Sequence, residues 1–288
     1  MEMDKALRAE QRRRRLRNYL PHLPGDIFKI LMMGVFVFPF YWMLITSFKT
    51  YNEAIIVPPT MLPFTFNTEA YYIVVTKLNW WTYVRNTVVI TVSVIVLQLL
   101  VMVPASYAFA KFRFYGQGLF FGTVLVAFMI PTQITFITTY LTMADWKMLK
   151  TLWPQILPFG ANAFGIFMLR QSFKQIPDEI VESAKLDKAS ELQIMTRILL
   201  PMSKSAMITI ALFSFVGHWN SYFWPLVMST TENVRPLTIA IEKLKEIEYG
   251  IQWPQIMAGN TLLVLPVVVL YIFASKKIIQ AFAYRGVK

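Results

Sequence analysis

The run "NTVVITVSVIVLQLLVMVPASYAFA" at residues 86–110 contains no Asp, Glu, Lys or Arg. About 20 apolar residues in an α-helix cross the roughly 30 Å hydrocarbon core of a bilayer. Because lipid offers no hydrogen-bond partners, the backbone groups of such a run must pair within the segment, which favours a helix. The run is therefore predicted to be a membrane-spanning helix.

Five further windows of the chain are equally free of charge: 30–48, 114–144, 151–169, 205–231 and 249–275. The composition agrees, since 56% of the 288 residues are hydrophobic and only 15% are charged, against about 25% charged in soluble domains. The sequence predicts an all-α, polytopic transmembrane bundle of six spans. It shows no linker, so residues 1–288 are predicted to form one domain.

The basic residues predict the orientation of the bundle. With the N-terminus inside and six spans, twenty of the 28 lysines and arginines fall on one side of the membrane. The positive-inside rule assigns that side to the cytoplasm. The N-tail (1–26), the segment 174–202 and the C-tail (277–288) are therefore expected to be cytoplasmic. The arm "QRRRRLR" (11–17) is typical of a topology anchor on anionic lipid, and we expect no nucleic-acid partner.

Residue chemistry argues against several kinds of site. The chain has no cysteine and two histidines, His22 and His218, which are far apart in sequence and have no acidic neighbours. A metal site or a catalytic centre is therefore not expected. No Gly-rich phosphate loop ending in Gly-Lys-Ser/Thr occurs, so any nucleotide chemistry must belong to another chain.

A polar segment (174–202) interrupts this apolar chain. Pro177 followed by Asp178 and Glu179 is typical of a helix start, where acidic side chains complement the helix dipole. Ser190 and Gln193 fit a capping box for a second helix, with Pro201 at its end. The sequence thus predicts two short amphipathic helices joined near 187–190. The pattern alone leaves open whether they lie on lipid or dock a cytoplasmic partner.

Polar residues at membrane depth have two interpretations. Gln98, Asn260 and similar amides usually form hydrogen bonds between helices, but they also suit the lining of a solute route where they cluster with aromatic residues. Such clusters occur at 132–140 and 217–226. The candidate path residues are Gln133, Tyr140, Asn162, Trp219, Asn220, Tyr222 and Trp224. None of the six windows holds a charge, which disfavours a proton-driven carrier.

The chain resembles the permeases of bacterial ATP-binding-cassette (ABC) importers, in the six-span, maltose-type subfamily that takes up carbohydrates. The polar segment is similar to the family's cytoplasmic signature loop, with Glu182, Ser183 and Ala184 at its E-A-A positions and "ILLP" (198–201) at its end. Other motifs follow in the family's order: "SFKTYNEA", "RNTVVI", "ASYAFAKFRFYG", "MIPTQ", "HWNSYFWPLV" and "AYRGVK".

This resemblance implies a type I ABC importer permease fold in the bacterial cytoplasmic (inner) membrane. The implied partners are a second, homologous permease subunit, two cytoplasmic ATPase subunits that bind ATP and Mg, and an extracytoplasmic solute-binding protein. No cofactor is implied on this chain. The implied substrate is a sugar or oligosaccharide. Arg85 and Lys77, near the outer end of the bundle, leave a uronate oligosaccharide such as an alginate fragment open, beside the alternative that both side chains only extend to the membrane interface. The residues implied to form the ATPase-coupling helix are Glu182, Ser183, Ala184, Lys185, Leu186 and Asp187.

One departure from the family pattern concerns the turn after this helix. Lys188 occupies the position where the signature has glycine. Either the turn needs a positive φ, at a cost of roughly 1 kcal/mol for a non-glycine residue, or the turn is built differently here. Two rival functions remain at this stage, an integral-membrane enzyme and a passive channel whose amphipathic helices lie on lipid.

Overall fold

The computed structural model describes residues 23–245 and 251–283, and these residues contain helices but no β-strand. Most of the predicted N-tail, with His22, and the last five residues of the predicted C-tail lie outside the described residues. In chain order the α-helices are α1 (Leu23–Ser47), α2 (Tyr51–Ala54), α3 (Glu69–Lys77), α4 (Trp80–Lys111), α5 (Gln117–Met129), α6 (Phe136–Asp145), α7 (Ala163–Lys174), α8 (Asp178–Leu186), α9 (Glu191–Met202), α10 (Lys204–Trp219), α11 (Phe223–Met228), α12 (Leu237–Lys243) and α13 (Trp253–Ala283).

Contacts group the chain into two compact units. The first comprises the chain up to Tyr71 together with Gln252–Thr261, and the second comprises Tyr72–Ile251 and the chain from Leu262 onward. The single domain expected from the sequence stays a prediction.

The helical membrane architecture predicted from the sequence is confirmed. Among the described residues, α1, α4 and the part of α13 up to Phe273 are long and apolar enough to cross a bilayer. The pair α9 and α10 also qualifies if it is counted as one broken span, since the two helices meet at a bend of 82°. The count of six spans stays a prediction.

Three of the charge-free windows do not form one uninterrupted helix: 114–144, 151–169 and 205–231, where α10 ends at Trp219 and α11 begins at Phe223. In window 114–144, α5 ends at Met129 and α6 begins only at Phe136. Pro131 lies in this break; it lacks a backbone N–H and disfavours helical geometry in the residue before it. In window 151–169, two 3₁₀ turns contain Pro154 and Pro158 before α7 begins. The prolines shorten these helices below the length of a span.

The first unit contains a folded loop after α1, in the segment 49–81 where the sequence predicts no long helix. Lys49 is only 3% exposed, and its ammonium donates to the Thr60 carbonyl over 2.5 Å. Glu53, 4% exposed, accepts hydrogen bonds from the Thr60 hydroxyl (3.0 Å) and the Phe64 amide (2.9 Å). Each buried charge thus has hydrogen-bond partners, which its burial requires, and the loop is held against α2.

The second unit is built around α4. One end of this helix packs with α7, α8, α9 and α10 in a hydrophobic core that includes Met102, Leu169, Phe173, Leu199 and Ile210. Close approach depends on Gly165 in α7, because a Cβ there would lie 2.7 Å from the Met102 sulfur and 3.3 Å from Ile210. Small residues commonly allow such contacts between membrane helices.

The opposite end of α4 makes polar contacts with the segment before α12 and with the first residue of α12. The Asn86 amide donates to the carbonyls of Asn233 (2.8 Å) and Arg235 (2.9 Å). The Thr87 hydroxyl accepts from the Leu237 amide over 2.8 Å. Near its other end, α4 makes a polar contact through Tyr107, whose hydroxyl donates to the Glu191 carboxylate. From Thr87 to Tyr107 the helix rises about 30 Å, which is the thickness of a hydrocarbon core. The polar contacts of α4 are therefore spaced as the two faces of a membrane require.

Candidate functional site

The polar segment (174–202) contains the two short helices that the sequence predicts. Helix α8 starts at Asp178, directly after Pro177, with Asp178 and Glu179 in its first turn. Helix α9 follows a capping box, in which the Ser190 hydroxyl accepts from the Gln193 amide (3.3 Å) and the Gln193 side chain accepts from the Ser190 amide (2.8 Å). Within α9, Ile194–Leu199 is wound as a π-helix. The expected stop at Pro201 is one residue early, since α9 ends at Met202.

Helix α8 has one buried face and one exposed face. Val181 and Ala184 are buried in the hydrophobic core against α4 and α7. Of the six predicted coupling residues, Ala184 therefore faces inward, whereas Glu182, Ser183, Lys185, Leu186 and Asp187 are exposed. Leu186 is 84% exposed, an unusual position for a leucine at the end of a polar helix. The exposed face combines this apolar side chain with two carboxylates, an ammonium and a hydroxyl.

The turn after α8 resolves the question raised by Lys188. Its φ is 58°, in the left-handed region. The Lys188 amide donates to the Lys185 carbonyl (3.0 Å) and the Ala189 amide donates to the Ala184 carbonyl (3.0 Å). These two bonds define a Schellman motif, in which the left-handed position is usually glycine. The geometry of a glycine turn is thus kept with a lysine at its centre.

Two polar contacts hold α8 to the end of α4. At the start of α8, the Lys111 ammonium donates to the Ile176 carbonyl and to the Asp178 carboxylate, both over 2.6 Å. At its end, the Lys185 ammonium pairs with the Glu191 carboxylate over 3.0 Å, and the Tyr107 hydroxyl donates to the same carboxylate. Both ends of α8 are therefore tied, directly or through Glu191, to α4.

These contacts shift the titration of both carboxyl groups. The hydrogen bond and charge of Lys111 lower the pKa of Asp178 below its ordinary value. The hydrogen bond from Tyr107, and then that from Lys185, lower the pKa of Glu191. Both groups are therefore carboxylates at neutral pH, and the ion pairs are complete there.

The two candidate path tryptophans use their polar atoms within the protein. The Trp219 indole N–H donates to the Leu263 carbonyl over 2.9 Å, and that of Trp224 donates to the Pro154 carbonyl over 2.8 Å. Both rings are buried. Trp219 is therefore a packing residue in this chain, whereas Trp224 also presents its ring to a cleft.

Asn162 belongs to a small hydrogen-bond network. Its carbonyl oxygen caps α7 by accepting from the Gly165 amide (2.9 Å), and its amide donates to the Gln98 oxygen over 3.4 Å. The Ser214 hydroxyl donates to the same Gln98 oxygen over 2.8 Å. Gln98, which is 4% exposed, thus links α4, α7 and α10, as expected of an amide that bonds between helices.

Two clefts open in the second unit. The aromatic cleft has a volume of about 460 Å³, and the threonine cleft about 440 Å³. The aromatic cleft is lined by Phe128, Phe159, Asn162, Phe164, Phe213, Ser214, Gly217, His218 and Ser221. The threonine cleft is lined by Thr132, Thr135, Thr139, Met143, Trp146, Leu157, Pro158, Phe159 and Trp224. Neither lining contains Asp, Glu, Lys or Arg.

The threonine cleft presents hydrogen-bond acceptors. The Thr135 hydroxyl donates to the Thr132 carbonyl (3.1 Å) and the Thr139 hydroxyl donates to the Thr135 carbonyl (2.8 Å). Since both hydroxyl protons are hydrogen-bonded to backbone carbonyls, the hydroxyl oxygens have only lone pairs left for contact with a solute. Aromatic faces with acceptor oxygens suit molecules that carry hydroxyl donors and C–H faces.

The other candidate path residues lie outside the two clefts. Gln133, Asn220 and Tyr222 are exposed and Tyr140 is half-buried; none of the four lines either cleft. Gln133 lies in the break between α5 and α6, where residues 130–135 are all exposed. Irregular backbone at membrane depth occurs only where protein covers it or water reaches it. The break therefore marks a face of the chain that needs one or the other.

Sequence reasoning missed most of the aromatic cleft. Phe128, Phe164 and Phe213 were indistinguishable from the many phenylalanines that face lipid or core, and no spacing pattern joins them. His218 and Ser221 lie within the cluster 217–226 that the sequence singled out. Nothing in the sequence brought this cluster next to Phe159, because the contact requires the 3₁₀ turns around Pro154 and Pro158.

Known proteins match this chain over most of its length. Residues 102–282 match the family described as binding-protein-dependent transport system inner membrane component. A putative ABC transporter permease protein of Caldicellulosiruptor sp. is 32% identical over 87% of this chain and 91% of its own length. The diacetylchitobiose uptake system permease protein of Streptomyces coelicolor is 28% identical over 90% of this chain and 94% of its own length.

Solved structures agree with these relatives. One matching structure is a chain of a bacterial ABC transporter involved in the import of the acidic polysaccharide alginate. The match has a TM-score of 0.79 and 25% sequence identity, and it covers 89% of this chain and 97% of that chain. A second structure is a chain of a bacterial alginate ABC transporter in complex with an alginate pentasaccharide-bound periplasmic protein. It matches this chain in fold alone, with a TM-score of 0.67 at 14% identity. The matched relatives are transport permeases rather than enzymes, and the chain belongs to the family of binding-protein-dependent transport system inner membrane components.

Proposed function

We propose that this chain is the membrane-spanning permease subunit of an ATP-driven importer for a sugar or oligosaccharide. The observation that carries the proposal is α8, a polar helix whose inner face is fixed in the helical core and whose outer face is free to contact another protein. A passive channel has no need of such a helix, and an enzyme would need a catalytic cluster near it. The family of the chain and the named substrates of its relatives support the same function.

The partners of the importer follow from this role. Two cytoplasmic ATPase subunits bind ATP and Mg, and a second permease subunit completes the pathway across the membrane. An extracytoplasmic solute-binding protein delivers the sugar. Both termini and the polar segment then face the cytoplasm, while the opposite end of α4 and the segment before α12 face the binding protein.

The exposed face of α8 is the docking surface for the ATPase. Leu186 inserts into an apolar pocket of the ATPase, and Glu182 and Asp187 meet donors at its rim, since a buried apolar anchor surrounded by polar contacts is the usual arrangement of an interface. Ser183 and Lys185 line the same contact. Ala184 acts from the inner side, where its small size lets α8 pack against the core.

The sugar passes the face that holds the two clefts and the break at 130–135. The acceptor oxygens of Thr135 and Thr139 receive hydroxyl protons of the sugar, while Trp224 and the phenylalanines of the aromatic cleft stack against its C–H faces. Gln133, Tyr140, Asn220 and Tyr222 line the same route in the assembled pair. The second permease subunit covers the rest of the break.

Copurification tests the proposal. Glu182→Lys or deletion of 178–190 is expected to remove the ATPase subunit from the purified chain, because both change the docking surface. Glu69→Lys is the matched control, since Glu69 is an exposed carboxylate on α3, in the first unit, and should retain the ATPase. If the ATPase binds equally well after the deletion, the proposed function is wrong.

A further inference from the structure

Lys111 has a position that the proposed docking surface does not explain. It is the last residue of α4, and its side chain is only 5% exposed although it carries a charge. Its ammonium bridges the Ile176 carbonyl and the Asp178 carboxylate over 2.6 Å each. A buried ammonium needs such partners, so the Lys111 side chain is held in one place.

The acceptors of Lys111 lie at the point where the chain enters α8. Ile176 precedes Pro177, which supplies no backbone N–H, and Asp178 is the first residue of α8. At the other end of α8, Tyr107 of α4 contacts Glu191, which also pairs with Lys185. Helix α8 has only nine residues, and these contacts join it to α4 at both ends.

The restraint connects distant parts of the second unit. A continuous α-helix of 32 residues is about 48 Å long. At its far end α4 contacts the segment before α12 through Asn86 and the first residue of α12 through Thr87. A displacement of α8 that carries α4 with it therefore reaches the opposite end of the second unit through one helix.

We propose that Lys111 is a positioning residue for energy coupling, which fixes the first turn of α8 to α4 so that the two move together. This inference rests on the proposed function. It separates two tasks within the polar segment: the exposed face of α8 holds the ATPase, whereas Lys111 transmits the ATPase's movement to the rest of the bundle. Removing Lys111 should leave docking intact and disconnect ATP hydrolysis from the movement of the helices.

The test uses the complete complex in proteoliposomes and a single cysteine, which is possible because the chain has none. Ile134→Cys, exposed in the break between α5 and α6, reports on helix movement through its rate of reaction with N-ethylmaleimide. The rate is measured with and without ATP plus vanadate. Phosphate release and the amount of copurified ATPase are measured on the same samples.

For Lys111→Met we expect normal ATPase content and phosphate release within about twofold, while the nucleotide-dependent change in labelling rate falls roughly tenfold, as for the loss of a charge-assisted hydrogen bond. Lys111→Arg should restore the change, because a guanidinium can donate to both acceptors. Arg113→Met, which removes a neighbouring charge, should behave like the parent. Asp178→Asn changes an exposed side chain and should reduce the nucleotide-dependent change in labelling rate by less than Lys111→Met does. If Lys111→Met does not assemble, Asp178→Asn tests the inference in its place.

Three outcomes would overturn the inference. One is a full nucleotide response in both Lys111→Met and Asp178→Asn. Another is loss of the ATPase from both variants, which would assign Lys111 to docking or folding. The third is absence of ATPase from the Ile134→Cys chain with Lys111 intact; the proposed function then fails, and the inference fails with it.

Discussion

Lys188 shows how a single backbone angle governs the end of α8. The sequence raised two alternatives for this position, and the φ of 58° selects the one with a left-handed residue. The same arrangement recurs after α6, where Lys147 also has a φ of 58° and the Met148 amide donates to the Met143 carbonyl over 2.9 Å. In both turns the hydrogen bonds of the Schellman motif offset the strain of a residue with a Cβ.

Lys188→Gly is expected to stabilise the turn by up to about 1 kcal/mol, because glycine adopts this φ without strain. Greater freedom of glycine in the unfolded chain makes this an upper bound. Hydrogen exchange of the Lys185–Ser190 amides should slow by up to about fivefold. Lys188→Ala is the matched control, since it removes the ammonium but keeps the Cβ; equal slowing in both variants would contradict the backbone explanation.

Asp178 and Glu191 give the contacts of α8 a defined pH dependence. A carboxyl group whose pKa is lowered by folding stabilises the folded state above its unfolded pKa, about 3.9 for Asp and 4.3 for Glu, and loses that contribution as the pH falls through its folded pKa. The contacts are therefore complete at neutral pH. A carbon-13 titration should find the pKa of Asp178 below its ordinary value.

The same titration identifies the cause of that shift. Lys111→Met should raise the Asp178 pKa toward its ordinary value, because the hydrogen bond and charge of Lys111 cause the lowering. Lys111→Arg should keep the pKa low. An ordinary Asp178 pKa in the unsubstituted chain would contradict the geometry of this ion pair.

At the scale of the helices, the sequence predicted well what depends on local signals. Helix α4 follows from an apolar run with no charge, the start of α8 from Pro177 and two acidic residues, and the start of α9 from a capping box. The breaks around Pro131, Pro154 and Pro158 were not predicted. Membrane helices often tolerate proline, as α4 does at Pro104, and only the packing around each proline decides whether the helix continues.

The packing of α7 against α4 depends on Gly165. Gly165→Val should destabilise the folded chain by about 1–3 kcal/mol, since its side chain would overlap Met102 and Ile210. Gly217→Val is the control, because a Cβ at Gly217 meets no atom within 4 Å. The measurement is the temperature at which each variant unfolds in detergent; equal values for both variants would show that the contact is not limiting.

For the whole molecule, the sequence predicted the class and the two helices of the polar segment but not the two clefts. Charge blocks and apolar windows are properties of continuous stretches and can be read directly. The clefts join residues from α5, α7, α10 and the 3₁₀ turns, and these meet only after the helices have packed. Of the seven candidate path residues, only Asn162 and Trp224 line a cleft.

The predicted orientation can be tested on the cysteine-free chain. Leu186→Cys should not react with a membrane-impermeant maleimide in intact cells and should react after permeabilisation, because the distribution of basic residues predicts a cytoplasmic polar segment. Glu69→Cys, on the predicted external segment, should react in intact cells. Labelling of Leu186→Cys in intact cells would reverse the orientation and contradict the proposed function.

The break between α5 and α6 has a consequence for how the protein is made. Helix α5 has 13 residues, about 20 Å, so that it reaches only part of the way through the lipid, and the irregular residues after it have backbone groups that lipid cannot satisfy. If the proposed second permease subunit covers this surface, a newly inserted copy without that subunit would leave it uncovered. We expect such unpaired copies to be degraded quickly by membrane proteases, so that synthesis of the proposed second subunit would set the cellular abundance of the chain.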